Sequence, residues 1–159
     1  MKQLFSLLIG VLTMATVANA ENITREMDLT ASVYSIEVSD DINVVLTQST
    51  DAKLRITGEE KDNKAVLFDQ KNGRVRLLSK KGSLKNRVTV YVPVQNLRQL
   101  VINGKSYVRS NGVIASKNLQ VIVAGEAKVE INNLGDIAFE ADQDIDLQIK
   151  KWHKSYSKQ

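Results

Sequence analysis

A short pattern near the end of the chain occurs three times, and it limits the folds that this sequence can adopt. Each copy has an apolar-alternating strand, a small-residue turn and a second short strand, in residues 101–108, 122–129 and 138–145. Units this short cannot bury their own apolar faces, so they are stable only when stacked on their neighbours. The repeat therefore predicts a β-solenoid with short strands.

The spacing of the copies supports stacking. The first two copies align with an offset of 21 positions, which places Gly104 against Gly125. The second and third copies align best with an offset of 16 positions, which places Gly125 against Ala141 and Val121 against Ile137. Unequal spacing is typical of a solenoid whose turns accept insertions. Glycine at the turns suits a backbone with positive φ. A β-sandwich with coincidental similarity between strands is the alternative.

Period-two alternation of apolar residues dominates from residue 33 onward, which predicts an all-β chain. Residues 71–73 predict a tight hairpin. Pro93 is expected to end the strand at 88–92, because proline cannot donate to a strand ladder. The polar stretch 59–64 is interpreted as a loop.

The first twenty residues resemble a secretory signal peptide. Lys2 precedes an apolar stretch over residues 4–12, and small residues at 18 and 20 predict cleavage between Ala20 and Glu21. The stretch is too short to span a membrane comfortably, and no later segment is long enough. We expect a β-solenoid domain over 21–149 and a basic tail over 150–159.

Cysteine usage and charge limit the function further. The chain has no cysteine, which excludes a disulfide framework and a lipid-modified cysteine. The mature protein is therefore expected in the periplasm or secreted. The formal net charge of +4 is too weak to indicate nucleic-acid binding.

Catalytic residue sets are scarce. The single histidine, His153, lies in the basic tail, so neither a Ser-His-Asp arrangement nor a zinc site is predicted. Carboxylates in the third repeat unit have the chemistry to bind calcium or to cleave polysaccharide, although they are best explained as a solvated outer face: Glu140, Asp142, Asp144 and Asp146. We predict no enzyme and no cofactor.

A basic run in the middle of the chain is the candidate binding surface. Its members are Arg74, Arg76, Lys80, Lys81, Lys85 and Arg87, and no acidic residue interrupts them. Such a run is suited to an anionic glycan or lipopolysaccharide, and Tyr91 and Tyr107 would add stacking surface. It also serves as a charged strand edge that prevents aggregation.

The order of these pieces resembles the head-GIN domain family of putative auto-transporter adhesins. The matching segments are 36–46, 54–58, 72–77 and 88–93, followed by the strand-plus-glycine repeats, so that the resemblance covers about residues 33–149. It implies a right-handed parallel β-helix in an exported protein, and it does not imply any catalytic residues. Asp41 stands where the family often has glycine.

Together these observations predict an exported, non-enzymatic module that binds glycan or protein at the cell envelope as an adhesin does. Two rival functions stay open. One is a polysaccharide-acting enzyme on a β-helix scaffold, and the other is a structural envelope protein without a ligand. The sequence does not decide the oligomeric state.

Overall fold

The structure is a computed structural model that describes residues 21–80, 84–142 and 146–151, the last range by its backbone only. The predicted signal peptide, its cleavage site at Ala20, and His153 lie outside the described residues. Within these ranges the elements are β1 Asn22–Asp28, β2 Ser35–Ser39, β3 Ile42–Gln48, β4 Lys53–Glu59, α1 Glu60–Ala65, β5 Val66–Lys71, β6 Arg74–Ser79, β7 Val88–Val94, β8 Gln99–Asn103, β9 Tyr107–Ile114, β10 Asn118–Ala124, β11 Lys128–Asn133, β12 Asp136–Ala141 and β13 Asp146–Lys151. None of the described helices is long and apolar enough to cross a membrane.

The strands form two mixed sheets that are rich in parallel pairs, so the described chain is mostly β, with α1 as its one departure from the all-β prediction. The seven-stranded sheet has the order β1-β4-β7-β3-β9-β11-β13, and the six-stranded sheet has the order β12-β10-β8-β2-β6-β5. Among the described strands, antiparallel pairing is confined to one end, where β4 pairs with β1 and β7, and β5 pairs with β6.

One apolar core lies between the sheets. Ile36 of the six-stranded sheet and Val44 of the seven-stranded sheet belong to the same buried cluster, and both are fully buried. The register aligns Ile36 with Val75 on one side and Leu100 on the other, so rows of apolar side chains run from strand to strand. This stacking explains why the short strands alternate so regularly.

Successive strands form layers, where a layer is one strand of the six-stranded sheet and the strand that follows it in the seven-stranded sheet. The layers are β6–β7, β2–β3, β8–β9, β10–β11 and β12–β13, in their order along the stack. The last three follow the chain order. The β2–β3 layer, however, lies between two layers that come later in the sequence.

The offset of 21 between the first two repeat units is confirmed, and the offset of 16 is wrong. Val121 pairs with Leu100 as expected, but its partner on the other side is Phe139, at an offset of 18. Ala141 pairs with Val123 and is therefore not a turn residue. A slip of two residues leaves every side chain on the same face, so the apolar pattern alone could not detect it.

The turns stack as closely as the strands. Gly104 and Gly125 have φ of 122° and 119°, which confirms the prediction of positive φ. A Cβ on Gly104 would lie 3.0 Å from the backbone nitrogen of Asp40, and one on Gly125 would lie 3.0 Å from that of Gly104. The equivalent turn residue of the β2–β3 layer is Asp40, with φ of 67°, rather than Asp41.

The stretch 59–64 contains most of helix α1 instead of a loop. Two of its polar residues, Asp62 and Asn63, are buried, and each satisfies backbone groups of other segments. Asp62 accepts hydrogen bonds from the N–H groups of Lys85 and Asn86, each at 2.9 Å. Asn63 is fully buried, and its side-chain amide donates to one backbone carbonyl of β1, that of Ile23, and to one of β4, that of Ile56.

Two further expectations concern the ends of strands. The hairpin is confirmed, since Asn72 and Gly73 both have positive φ between antiparallel β5 and β6. Pro93 does not end its strand, because β7 continues to Val94. Proline is tolerated there because the pairing of β4 with β7 stops at Tyr91, which leaves β3 as the strand beside Pro93.

Candidate binding surfaces

The predicted basic run is spread over three segments. Its described members are all exposed, with two on β6, one just after it and two shortly before β7: Arg74, Arg76, Lys80, Lys85 and Arg87. Lys81 lies outside the described residues. The structure therefore brings Arg74 and Arg76 onto one strand, and it places the other members around the connection from β6 to β7.

The run does have acidic neighbours in space, although it has none in the sequence. The Arg76 Nε lies 3.0 Å from Glu37 Oε2, on the adjacent strand β2. Asp69 lies opposite Arg76 on β5. Arg74 donates from its Nε to the hydroxyl of Tyr34 at 3.3 Å. Glu37 becomes the partner of Arg76 because β2 and β6 pair in parallel, and the 39 positions between these two residues hide the ion pair from inspection of neighbouring residues in the sequence.

The acidic residues of the third repeat unit act as exposed hydrogen-bond acceptors. Glu140 accepts a bond from the Gln120 amide at 3.1 Å, and Asp142 accepts one from the Gly125 N–H at 3.2 Å. Asp144 lies outside the described residues, and Asp146 opens β13. In the described part of the chain, no group of three or more His, Cys, Asp or Glu is arranged to hold a metal ion.

A polar and aromatic surface crosses the outer side of the seven-stranded sheet. The tyrosine face, as we call it, consists of Tyr91, Val45, Arg109, Tyr107 and Glu130. The register places Tyr91, Val45 and Arg109 side by side on β7, β3 and β9, with Glu130 next on β11. Val45 is only 3% exposed, while Tyr91 stays 38% exposed. Tyr91 thus presents its ring to solvent. Its direct arginine neighbour in the register is Arg55 on β4, whereas Arg109 lies two strands away.

Hydrogen bonds fix the second tyrosine of this face. The Tyr107 hydroxyl donates to Glu130 Oε2 at 2.5 Å, and Lys128 Nζ lies 2.9 Å from the other oxygen of Glu130. Lys128 also lies 5.5 Å from the centre of the Tyr107 ring. The bond to Glu130 raises the pKa of Tyr107, and the same hydroxyl lowers the pKa of Glu130. At neutral pH this pair is a neutral phenol and a charged carboxylate.

A shallow cavity of about 250 Å³ lies near the loops that follow β1 and β3. Its lining includes hydroxyl groups and one carboxylate, Asp51, which lies 3.9 Å from Arg55. Glycoside hydrolysis uses two carboxyl groups, so this cavity would have to supply a second one beside Asp51. None of the residues that line this cavity supplies one.

Comparison with known proteins identifies the family. The family model described as "Putative auto-transporter adhesin, head GIN domain" matches residues 34–149. The chain belongs to this family. The head GIN match begins just before β2 and ends within β13, so it covers all five layers, and the resemblance inferred from the sequence is confirmed. A comparison with curated proteins gave no match.

Solved structures share the fold of this head GIN protein. A crystal structure of a putative adhesin from Bacteroides fragilis has a TM-score of 0.62 at 18% identity, and the match covers 80% of this chain and 61% of that one. Putative adhesins from Parabacteroides distasonis and Parabacteroides merdae give TM-scores of 0.59 and 0.53, at 13% and 16% identity. These two matches cover 77% and 76% of this chain, and 57% of each relative. The chain thus spans about three fifths of the length of these relatives.

Sequence reasoning missed Glu37, Arg109 and Glu130 as parts of these surfaces. Each is brought to its neighbours by parallel pairing between strands that are distant in the sequence. The offset of 21 links β9 to β11, and it pairs Arg109 with Glu130. That offset was the one signal from which this part of the face could have been found.

Proposed function

We propose that this protein is an extracytoplasmic, non-enzymatic adhesion module that contacts glycan or protein at the cell envelope. We further propose that its layers coil as a right-handed parallel β-helix. Membership of the head GIN family supports both statements. So does the alternation of strands between the two sheets from β8 to β13, with each strand parallel to the one two places earlier.

The tyrosine face is the observation that carries the binding proposal. An exposed aromatic ring next to a guanidinium combines apolar contact area with hydrogen-bond donors, a composition that is enriched where proteins bind partners. The Tyr107–Glu130 pair adds acceptor oxygens whose positions are already fixed, because the one hydroxyl hydrogen of Tyr107 is donated to Glu130. Fixed side chains on a rigid sheet lose little conformational entropy when a ligand binds.

The basic residues provide a second proposed contact. We assign to it the predicted set Arg74, Arg76, Lys80, Lys81, Lys85 and Arg87, with an anionic glycan or an envelope protein as the partner. The exposure of the described members supports this assignment. The pairing of Arg76 with Glu37 reduces the net positive charge at the centre of this contact.

Export is tested by fractionating cells that express the full chain and by measuring the mass of the recovered protein. We expect the protein in the periplasm or the medium, with Glu21 as its first residue. Recovery of the uncleaved chain from the cytoplasm would contradict the export proposal. This readout does not depend on any ligand.

Binding is tested with glycan arrays and with envelope fractions, using the mature chain and Tyr91→Ala. The matched control is Leu67→Ala, because Leu67 is 40% exposed and lies on the other sheet. We expect Tyr91→Ala to reduce binding about tenfold, as is common for a central aromatic contact. Equal losses in both variants would exclude the tyrosine face. No binding by the unmodified chain would favour the structural envelope role.

The enzymatic rival is tested by incubating the mature chain with acidic polysaccharides and measuring new reducing ends. The proposal expects no turnover. Turnover that disappears in Asp142→Ala would overturn the non-enzymatic assignment. The exposed Glu140 provides a neighbouring carboxylate for a control variant, Glu140→Gln.

A further inference from the structure

Three basic residues lie along one edge of the six-stranded sheet. Its strands β6, β2, β8 and β10 are parallel, so the residues at their starts meet at the same edge. Arg74 opens β6, Arg98 directly precedes β8, and Lys117 directly precedes β10. We call these three residues the basic edge.

Backbone hydrogen bonds hold this edge together. The Arg98 N–H donates to the carbonyl of Tyr34 at 2.8 Å, and the Arg98 carbonyl accepts from Gln120 at 2.9 Å. The Tyr34 N–H in turn donates to the carbonyl of Gly73, next to Arg74, at 3.0 Å. The segments that carry the basic residues are therefore linked from strand to strand.

The part of the basic edge from Arg98 to Lys117 is concave. Arg98 and Lys117 line a groove of about 310 Å³ together with the carboxamide side chains of Asn96 and Asn118. All four residues are exposed. The backbone beneath them is fixed by buried Ser116, whose hydroxyl donates to the Leu97 carbonyl and whose N–H donates to the side chain of Asn133.

The cations of the groove differ from other basic residues of this protein. Arg76 and Lys105 form ion pairs with Glu37 and Glu126, both at 3.0 Å. The described residues provide no hydrogen-bond or ion-pair partner for the side chains of Arg98 and Lys117, and no acid lines the groove.

An acid does lie just beyond the groove. Asp136 opens the next strand, opposite Asn118, and has interactions of its own. It marks the end of the positive stretch. An anionic chain on the basic edge would therefore run from Arg74 toward Lys117 and stop before β12.

We propose that the basic edge binds a linear polysaccharide that bears carboxylates, of the polyuronate class. Arginine binds a carboxylate through two parallel hydrogen bonds, lysine adds a point charge, and the two carboxamides can bond sugar hydroxyls. Arg74 and Arg98 are separated by two strand spacings, about 10 Å, so the cations follow a line rather than a point. A repeating anionic chain suits such a line better than a single small anion does.

This inference rests on the proposed function as a contact module, and it adds a ligand class and a surface distinct from the tyrosine face. It is tested by affinity electrophoresis and titration calorimetry of the mature chain with polygalacturonate. Fully methyl-esterified polygalacturonate and double-stranded DNA serve as comparison ligands. The variants are Arg98→Ala, Lys117→Ala and Arg98→Lys.

Lys105→Ala is the matched control, because it removes one positive charge beyond the opposite end of β8. We expect Arg98→Ala and Lys117→Ala to weaken binding of polygalacturonate about tenfold each, since each removes charged hydrogen bonds. Arg98→Lys should weaken it less, and Lys105→Ala should leave it within about twofold. The methyl ester should not bind.

Three results would overturn the inference. They are no binding of polygalacturonate, equal weakening by Lys105→Ala and Arg98→Ala, or binding of DNA as tight as that of polygalacturonate.

Tyr91→Ala separates this inference from the proposed function. If envelope binding depends on Tyr91 while polygalacturonate does not bind, then the basic edge alone is wrong. If polygalacturonate binds through Arg98 while Tyr91→Ala has no effect, then the tyrosine face alone is wrong.

Discussion

Alanine substitutions at two glycines with positive φ, Gly125 in a turn and Gly112 within β9, separate two contributions to the stability of the stack. Gly125 has positive φ, and a Cβ there would lie 3.0 Å from the backbone nitrogen of Gly104 in the neighbouring turn. Gly112 also has positive φ, at 83°, but a Cβ there would have no atom within 4 Å. Both sites carry the backbone strain of a left-handed residue, and only Gly125 adds a clash between layers.

The expected magnitudes follow from these distances. Positive φ costs an ordinary residue about 1–2 kcal/mol. Forcing extra atoms into a packed site costs about 1–3 kcal/mol more, and the atoms that would be displaced at Gly125 are backbone atoms with little freedom to move. We therefore expect Gly125→Ala to reduce the free energy of unfolding by about 3 kcal/mol, and Gly112→Ala by about 1 kcal/mol.

The assay is urea unfolding of the mature chain, followed by far-ultraviolet circular dichroism. With a denaturant dependence of about 2 kcal/mol per molar urea, the midpoint should fall by about 1.5 M for Gly125→Ala and by about 0.5 M for Gly112→Ala. Equal shifts would refute the reasoning, because they would show that contact between the turns adds nothing to the strain.

Three further predictions concern buried and hydrogen-bonded polar groups. Asn63→Ala should lower the free energy of unfolding by about 2–4 kcal/mol, because two backbone carbonyls lose their donor; a change below about 1 kcal/mol in urea unfolding would contradict this. The N–H of Lys85 is the main cause that lowers the pKa of Asp62, so the charged form stabilises the fold above the ordinary value of 3.8. Because that stabilisation is lost as the pH falls through the folded-state pKa, unfolding at pH 7 and pH 3 should differ less in Asp62→Asn than in the unmodified chain. Tyr107→Phe should raise the pKa of Glu130, which its hydroxyl lowers most strongly, and an unchanged carboxyl titration by NMR would exclude that hydrogen bond.

Much of the architecture follows from the sequence, because apolar and polar side chains must alternate along a short strand that buries only one of its faces. The pairing of Leu100 with Val121 and the positive φ of Gly104 were both predictable from the first two repeat units. The pairing of Phe139 was not, since a shift of two residues preserves the apolar face. Choosing between offsets of 16 and 18 residues requires the geometry of the turn, where the Asp142 carboxylate accepts a hydrogen bond from the Gly125 N–H.

The polar elements were harder to predict than the apolar ones. Helix α1 has the composition of a loop, and only its contacts with β1, β4 and the residues before β7 show why Asp62 and Asn63 are buried. Strand β1 was missed because Arg25 interrupts its apolar alternation. In the structure that arginine donates to the carbonyls of Asn63 and Val66. The surfaces were least predictable, since they join residues from strands distant in the sequence.

The position of the β2–β3 layer has a consequence for how the chain is assembled. Both strands of this layer precede both of its neighbours in the sequence, yet it lies between them. As the chain is synthesised, this layer has no neighbour on either side until residues 74–94 supply one and residues 99–114 supply the other. A stack that starts from this layer grows outward in two directions, and only from Gln99 onward does the order of the layers coincide with the order of the chain.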